Sequence, residues 1–145
     1  MNDRTLSIIA FVVLLAAILL LLKYDSLFGR DVVTIGLQVV SALLMIWARI
    51  TFGKRSFHAG ANPTAGGLVT TGPYRYVRHP IYSAIMLFIA SGVAANWSVV
   101  SAPAGIIAIA AVFVRIHCEE RLVVLQYPEY TEYALATKRL IPYVY

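Results

Sequence analysis

The sequence has little cysteine and little charge, and each shortage excludes a class of protein. Cys118 is the only cysteine among 145 residues, which excludes an internal disulfide and a cysteine-rich metal site. Charged residues make up only 13% of the chain, whereas 60% of it is hydrophobic and the mean hydropathy is +0.77. Water-soluble globular domains do not have this composition. The sequence therefore predicts a protein that is integral to a membrane.

Acidic residues are scarcer than basic ones, which gives the chain a formal net charge of +5. The basic residues form no continuous stripe, so the charge does not indicate a nucleic-acid partner. It is instead typical of a protein that contacts anionic membrane lipid. Internal repeats and low-complexity segments are also lacking. We therefore interpret residues 1–145 as a single membrane-embedded domain.

Four apolar runs approach the length of about 20 residues that a helix needs to cross a bilayer. They cover residues 6–22, 32–50, 81–95 and 99–116. The first is interpreted as a retained anchor, because no small-residue cleavage motif follows it. The third is short, but a helix that begins at Pro80 is favoured, since proline is tolerated in a first turn. The predicted fold class is all-α and polytopic, with about four transmembrane helices.

The positions of Lys and Arg predict the orientation of these helices. With four crossings, the amino terminus, the loop 51–80 and the tail after residue 116 lie on one side of the membrane. Most basic residues fall there: Arg4, Lys54, Arg55, Arg75, Arg78, Arg121, Lys138 and Arg139. Basic residues are retained in the cytoplasm. We therefore expect both termini and the loop 51–80 to be cytoplasmic, in a plasma or inner membrane.

The stretch GPYRYVRHPIY joins that loop to the third apolar run. A helix that starts at Pro80 places Arg78 and His79 at its positive end, which attracts anions such as a carboxylate. The stretch also offers aromatic faces to a purine or a soft cation, on Tyr74, Tyr76 and Tyr82. Beyond residue 128 aromatic and polar residues alternate, as is typical of an amphipathic tail in the headgroup layer.

A second group of ionisable residues ends the fourth run, in the sequence RIHCEERL. Arg115 and Glu119 are four residues apart and share one helix face, whereas Glu120 points about a third of a turn away. Ionisable groups near a membrane boundary are functional candidates, although Arg115 could instead snorkel and both carboxylates could be solvated. A ligand with a carboxylate, an ammonium, a ribose and a purine would suit both groups, and S-adenosylmethionine has all of these features.

Several separated blocks resemble the isoprenylcysteine carboxyl methyltransferase family, and more broadly the phospholipid methyltransferase group. The blocks are GGLVTTGPYRYVRHPIY, RIHCEERL, YPEYTEY and RLIP, in order between residues 66 and 142. The first two apolar runs resemble only generic membrane helices. The resemblance implies S-adenosylmethionine as cofactor and a lipophilic or lipidated acceptor, most like the carboxylate of an isoprenylcysteine. A phospholipid or another small lipophile is the alternative acceptor.

Carried over by position, the resemblance also implies site residues. Arg115 would be the catalytic residue, on the acceptor side. The cofactor contacts would be Gly66, Gly67, Leu68, Val69, Tyr74, His79, Pro80, Ile81, Tyr82 and Glu119. The cofactor-binding loop would face the cytoplasm, and no metal is implied.

Two other functions stay open at this point. Membrane NADPH-dependent reductases have a distantly similar carboxy-terminal block, although the intact RHPIY and EE blocks favour the methyltransferase. A small four-helix multidrug exporter matches in size and number of spans. Such exporters use a carboxylate inside a span, however, and the first three apolar runs contain none.

Isolated polar and aromatic residues give weaker indications. His58 is interpreted as a loop or interface residue. Arg49, at the cytoplasmic end of the second run, is interpreted as a snorkelling anchor rather than a ligand-binding residue. Trp47 and Trp97 are expected to be interfacial anchors.

Overall fold

The computed structural model describes residues 2–53 and 67–145, which form helices, turns and one isolated β-bridge. The elements are α1 (Asp3–Lys23), α2 (Val32–Phe52), a short 3-10 helix (Gly72–Arg75), α3 (Pro80–Ala95), α4 (Ser101–Gln126) and α5 (Tyr130–Ala136). The predicted all-α class is confirmed. The predictions for Lys54, Arg55, His58 and Gly66 concern positions outside the described residues.

Three of the described helices, α1, α2 and α4, are long and apolar enough to cross a membrane. The shorter α3 begins at Pro80, as predicted. The helix α4 extends beyond the apolar run 99–116 and reaches Gln126. The reason is that residues 117–127 contain neither Gly nor Pro, so the first strong helix breaker is Pro128.

Side-chain caps fix the starts of the first two helices. The Asn2 side chain accepts a hydrogen bond from the Arg4 amide at 3.2 Å. Asp31 accepts from the amides of Val33 and Thr34, and the Thr34 hydroxyl donates to its carboxylate at 2.7 Å. These hydrogen bonds, the hydroxyl's above all, hold the pKa of Asp31 below its usual range. Both caps satisfy amides that the first turn leaves unpaired.

Close helix packing in the bundle depends on small residues. The main contacts join α1 to α4, α2 to α3, and α3 to α4. The buried face of α4 includes four small residues: Ala104, Gly105, Ala108 and Ala111. Small residues let helix backbones approach closely in a membrane. At Gly105 an added Cβ would lie 2.9 Å from a methyl of Val93, so α3 and α4 are in close contact there.

Polar side chains of α2 bind backbone carbonyls of its neighbours. Gln38 Nε2 donates to the Leu27 carbonyl at 2.8 Å and to the Phe88 carbonyl at 3.2 Å. Ser41 Oγ donates to the Ala84 carbonyl at 2.6 Å. Water is scarce in the hydrocarbon core, so these polar groups must find partners within the protein. They hold α2 and the loop before it against α3.

Contacts at the helix ends show that α1, α2, α3 and α4 alternate in direction. The start of α3 meets the end of α4, because His79 lies 3.3 Å from Glu120. Asp3 at the start of α1 pairs with Arg121 near the end of α4 at 3.5 Å. Phe52, at the end of α2, lies 5.4 Å from Tyr74 just before α3, measured between ring centroids. The amino terminus, the end of α2, the start of α3 and the end of α4 therefore lie at one end of the bundle, here named the site end.

The tail after α5 folds back onto the segment that leads into α3. Val77 and Lys138 form a parallel β-bridge, and the Arg78 amide donates to the Lys138 carbonyl at 2.7 Å. Ser83 Oγ donates to the Leu140 carbonyl at 2.6 Å, and Leu140 is buried. The tail is thus packed on the protein at the site end, a contact that its amphipathic pattern did not predict.

Candidate functional site

The Tyr82 hydroxyl connects the two ionisable residues that share a face of α4. It donates to Glu119 Oε2 at 2.9 Å and accepts from Arg115 Nε at 3.2 Å. The predicted common face of Arg115 and Glu119 is confirmed, because one phenol on α3 reaches both. A carboxylate, a guanidinium and an aromatic ring therefore meet at the site end of the bundle.

Arg115 is buried, with 5% of its surface exposed, although its side chain is charged. Nη1 donates to the Ser7 carbonyl on α1 at 3.1 Å. The guanidinium carbon lies 4.9 Å from the centroid of the Phe11 ring and 5.8 Å from that of Tyr82. This environment does not fit the alternative of a snorkelling arginine. The charge instead lies inside the bundle, where functional charged residues of membrane proteins are usually found.

Tyr74 lies beside this group, between the end of α2 and the tail. Its ring is buried against Phe52, and its carbonyl accepts from the Tyr133 hydroxyl at 2.6 Å. Burial raises the pKa of Tyr74 well above its usual value, and the negative charge of Glu119 raises it further. The positive charge of Arg49 acts in the opposite direction. The interpretation of Arg49 as a snorkelling anchor stays a prediction.

A second polar cluster surrounds Glu120. Its carboxylate accepts from Arg78 Nε at 3.1 Å, from Arg139 Nη2 at 2.9 Å and from the Tyr130 hydroxyl at 3.3 Å. His79 Nε2 also lies 3.3 Å from its Oε1. The Glu120 side chain is only 13% exposed, so these contacts form in a largely dry environment. Glu120 links α4, the start of α3 and the tail.

The contacts of Arg78 correct one sequence-based expectation. The position of Arg78 before α3 suggested that it could hold a ligand carboxylate. Instead its Nη1 donates to the carbonyls of Ala134 and Thr137, and its Nε binds Glu120. The Arg78 guanidinium therefore binds α5 and the residue that follows it, because α5 lies over it.

His79 and the residues after it form the start of α3. His79 is the residue that precedes the helix, and it is buried, with its ring centroid 5.7 Å from that of Tyr82. Its ring reaches Glu120, and the predicted pairing of His79 with a cofactor stays a prediction. Pro80 is buried and Ile81 is half-buried, so the predicted cofactor residues 79–82 lie together beside Glu119 and Glu120.

The predicted glycine-containing block is described only in part. Gly67 has a φ of +80°, a conformation that favours glycine, and it is exposed. Leu68 and Val69 are half-buried. Gly66 lies outside the described residues.

Two tyrosines of α5 complete the surroundings. Burial raises the pKa of Tyr130 well above its usual value, and the charge of Glu120 adds to the effect. Burial also raises the pKa of Tyr133 to about 12. Both phenols are therefore protonated near neutral pH and serve as hydrogen-bond donors, Tyr130 to Glu120 and Tyr133 to the Tyr74 carbonyl.

Some of these residues could not be identified from the sequence. The EE pair drew attention to Glu120, but its partners Arg139 and Tyr130 lie in a tail whose path the sequence does not specify. Ser7 and Phe11 belong to a run that reads as an ordinary membrane helix. Within residues 2–53 and 67–145, no group of three or more His, Cys, Asp or Glu side chains could hold a metal ion.

Comparison with known proteins gives one match. The model of the isoprenylcysteine carboxyl methyltransferase (ICMT) family matches residues 33–125, more than half of the chain. The match includes α2, which corrects the interpretation of the second apolar run as generic, and it stops before the tail. Neither a curated protein nor a solved structure matches the chain significantly. The chain therefore belongs to the isoprenylcysteine carboxyl methyltransferase family, a family of membrane methyltransferases.

Proposed function

We propose that the protein transfers a methyl group from S-adenosylmethionine to a lipophilic acceptor at the membrane, most like the carboxylate of an isoprenylcysteine. The observation that carries this proposal is the arrangement around Tyr82, which joins Glu119 to the buried Arg115. A carboxylate suited to the polar part of the cofactor and a guanidinium suited to an anionic acceptor thus lie side by side. Family membership supplies the reaction type.

The residues present fit S-adenosylmethionine by their chemistry. Glu119 can accept hydrogen bonds from an ammonium or from ribose hydroxyls. Tyr74 and Tyr82 are aromatic neighbours for a purine or a sulfonium. The positive end of α3 favours a carboxylate. The residues that would hold the cofactor are Gly66, Gly67, Leu68, Val69, Tyr74, His79, Pro80, Ile81, Tyr82 and Glu119. When bound, the cofactor supplies an electrophilic methyl group.

Arg115 is proposed as the catalytic residue on the acceptor side. A guanidinium can bind a carboxylate through two parallel hydrogen bonds, which would orient one carboxylate oxygen towards the methyl group. The chief tasks in such a displacement are alignment of the reacting atoms and exclusion of water. The burial of Arg115 between α1 and α3 serves both tasks.

The contacts of Glu120 remove one candidate base for an amine acceptor. A carboxylate is already ionised and needs no base, whereas an ammonium must lose a proton before it can accept a methyl group. Glu120 is the carboxylate nearest to Glu119 in the sequence, but Arg78, His79 and Arg139 bind it. Two guanidinium groups stabilise its ionised form and make it a poor proton acceptor.

We further propose that the cofactor enters from the cytoplasm and the acceptor from the lipid. The site end contains both ends of the chain and the basic residues Arg75, Arg121 and Arg139. By the distribution of basic residues, that end faces the cytoplasm. Arg115 lies one helical turn deeper in α4 than Glu119 and so meets whatever approaches through the bilayer.

The test is methyl transfer with a labelled cofactor. Purified protein in lipid is given S-adenosylmethionine with a labelled methyl group and a farnesylated cysteine with a free carboxylate. The matched control replaces the farnesylated cysteine by its carboxyl amide. We expect label in the free acid, released by base as methanol, and none in the amide. Label in phospholipid amines instead would contradict the proposed acceptor, and no transfer to either compound or to a lipid extract would contradict the function.

A further inference from the structure

Arg115 is held in part by α1, which lies outside the segment 33–125 that matches the family. The Ser7 carbonyl accepts from Arg115 Nη1 at 3.1 Å, and the Phe11 ring centroid lies 4.9 Å from the guanidinium carbon. From α3, the Tyr82 hydroxyl accepts from Arg115 Nε at 3.2 Å. The guanidinium therefore lies between two helices, and each helix contributes a hydrogen bond and an aromatic ring.

The α1 contacts can fix the orientation of the guanidinium without disturbing the helix. A backbone carbonyl has two lone pairs, so the Ser7 carbonyl can accept from Arg115 and still accept its helical hydrogen bond. A guanidinium is attracted to the face of an aromatic ring, and the attraction grows where water is excluded. Phe11 is half-buried and Arg115 is buried, so this contact is largely shielded from water.

The contact between α1 and α4 keeps these groups in register. Ser7 is fully buried, and its small side chain allows α1 to approach α4 closely. One turn earlier, Asp3 pairs with Arg121 at 3.5 Å. Further along α1, Ala10 and Leu14 are buried. These contacts therefore hold the Phe11 ring at one position along α4.

We propose that Ser7 and Phe11 are positioning residues, through which α1 sets the orientation in which Arg115 meets the acceptor carboxylate. This inference rests on the proposed role of Arg115 and deepens it. Phe11 acts through Arg115 and needs no contact with the acceptor. The reactive geometry therefore depends on a helix that the family match does not include.

The first test measures the position of the ring and does not depend on activity. The side-chain Nε–H signal of Arg115 is recorded by NMR in detergent micelles and assigned by its loss in Arg115→Lys. An aromatic ring shifts the resonances of protons above its face. We expect Phe11→Leu to move the signal and Phe11→Tyr to leave it near its original position. Val12→Ala is the control, because Val12 is 58% exposed on the lipid-facing side of α1.

The second test separates positioning from general damage to the bundle. In Phe11→Leu we expect the KM for the farnesylated cysteine to rise about five- to thirtyfold, while the Kd for S-adenosylmethionine changes less than about twofold. Phe11→Tyr should restore most of the acceptor affinity. An unchanged Arg115 signal and KM in Phe11→Leu would overturn the proposal, and so would an equal loss of acceptor and cofactor affinity. If the wild type transfers no methyl group, the proposed function itself fails. If the wild type transfers the methyl group and the KM of Phe11→Leu is unchanged, the positioning role alone is overturned.

Discussion

At the scale of single residues, the adjacent carboxylates Glu119 and Glu120 have different partners. Glu119 accepts from Tyr82 and lies beside Arg115, whereas Glu120 binds Arg78, His79 and Arg139. Successive residues of a helix point about 100° apart, so neighbours in the sequence face different elements. Glu120 therefore binds the start of α3 and the tail, and only Glu119 is proposed as a cofactor residue.

Substitution of Glu119 by Gln should weaken cofactor binding. A hydrogen bond to a charged group contributes about 1.5–3 kcal/mol, so the affinity for S-adenosylmethionine should fall about ten- to a hundredfold. Calorimetry on purified protein measures it. Glu132→Gln neutralises an exposed carboxylate of α5 and should have no effect. Equal affinity in the wild type and Glu119→Gln would remove Glu119 from the cofactor site.

Substitution of Arg115 by Lys should separate acceptor binding from cofactor binding. Lysine is a point charge and cannot form the two parallel hydrogen bonds of a guanidinium, so methyl transfer should fall steeply while cofactor affinity stays near normal. The measurements are labelled methyl transfer and cofactor calorimetry, with the more exposed Arg121→Lys as control. If methyl transfer and cofactor affinity fall together, Arg115 is a cofactor-binding or structural residue. If neither falls, Arg115 is a membrane anchor.

At the scale of elements, the tail and the start of α3 form one unit through Glu120. The amides of Arg78 and His79 donate to the carbonyls of Lys138 and Arg139, and the side chains of Arg78, His79 and Arg139 converge on the carboxylate. The sequence did not predict this unit. A β-bridge depends on the path of the chain after α5, which local residue patterns do not specify.

Glu120→Gln should loosen the tail. Removing one partner of a buried ion pair leaves its cations uncompensated, at a cost of up to about 3–5 kcal/mol. We expect the Arg78 and His79 amides to exchange with deuterium about ten- to a hundredfold faster, because local opening then requires less free energy. Glu129→Gln, an exposed change just before α5, is the matched control. Unchanged protection in Glu120→Gln would show that the backbone contacts alone hold the tail.

Gly92→Ala should destabilise the packing of α3. A Cβ at this position would overlap the Leu27 carbonyl oxygen, so the loop between α1 and α2 would have to move. Overpacking of this kind costs about 1–3 kcal/mol and should lower the thermal unfolding midpoint in detergent. Gly36→Ala is the control, since its Cβ would have no neighbour within 4 Å. A midpoint equal to that of the control would indicate that the loop between α1 and α2 moves without a measurable loss of stability.

At the scale of the whole molecule, both polar clusters lie at one end of the bundle. The opposite end carries little net charge, and its Arg30 is paired with Asp25 at 2.9 Å. The contacts establish which helix ends lie together, whereas the side of the membrane that they face follows only from the distribution of basic residues. The proposed function, with a cofactor that enters from the cytoplasm, requires the site end to face that compartment.

Reporter fusions should show that both termini are cytoplasmic. A cytosolic reporter fused after Tyr145 should be active, and an exported reporter at the same point should be inactive. The matched control is a fusion within the short connection at Trp97, between α3 and α4. There the exported reporter should be active and the cytosolic reporter inactive. The reverse pattern would place the site on the outer side and deprive it of the cytoplasmic cofactor.

The sequence by itself determined the helical architecture and the family. Apolar runs of near-bilayer length specify membrane helices whatever their neighbours, Pro80 specifies the start of α3, and the four-residue spacing specifies that Arg115 and Glu119 share a face. These properties are local, because helix hydrogen bonds form within one segment. Only the tertiary structure decided which groups surround each charge. Ser7 and Phe11 approach Arg115 across a helix interface, and Arg139 reaches Glu120 through the folded tail, because packing of distant segments brings those groups together.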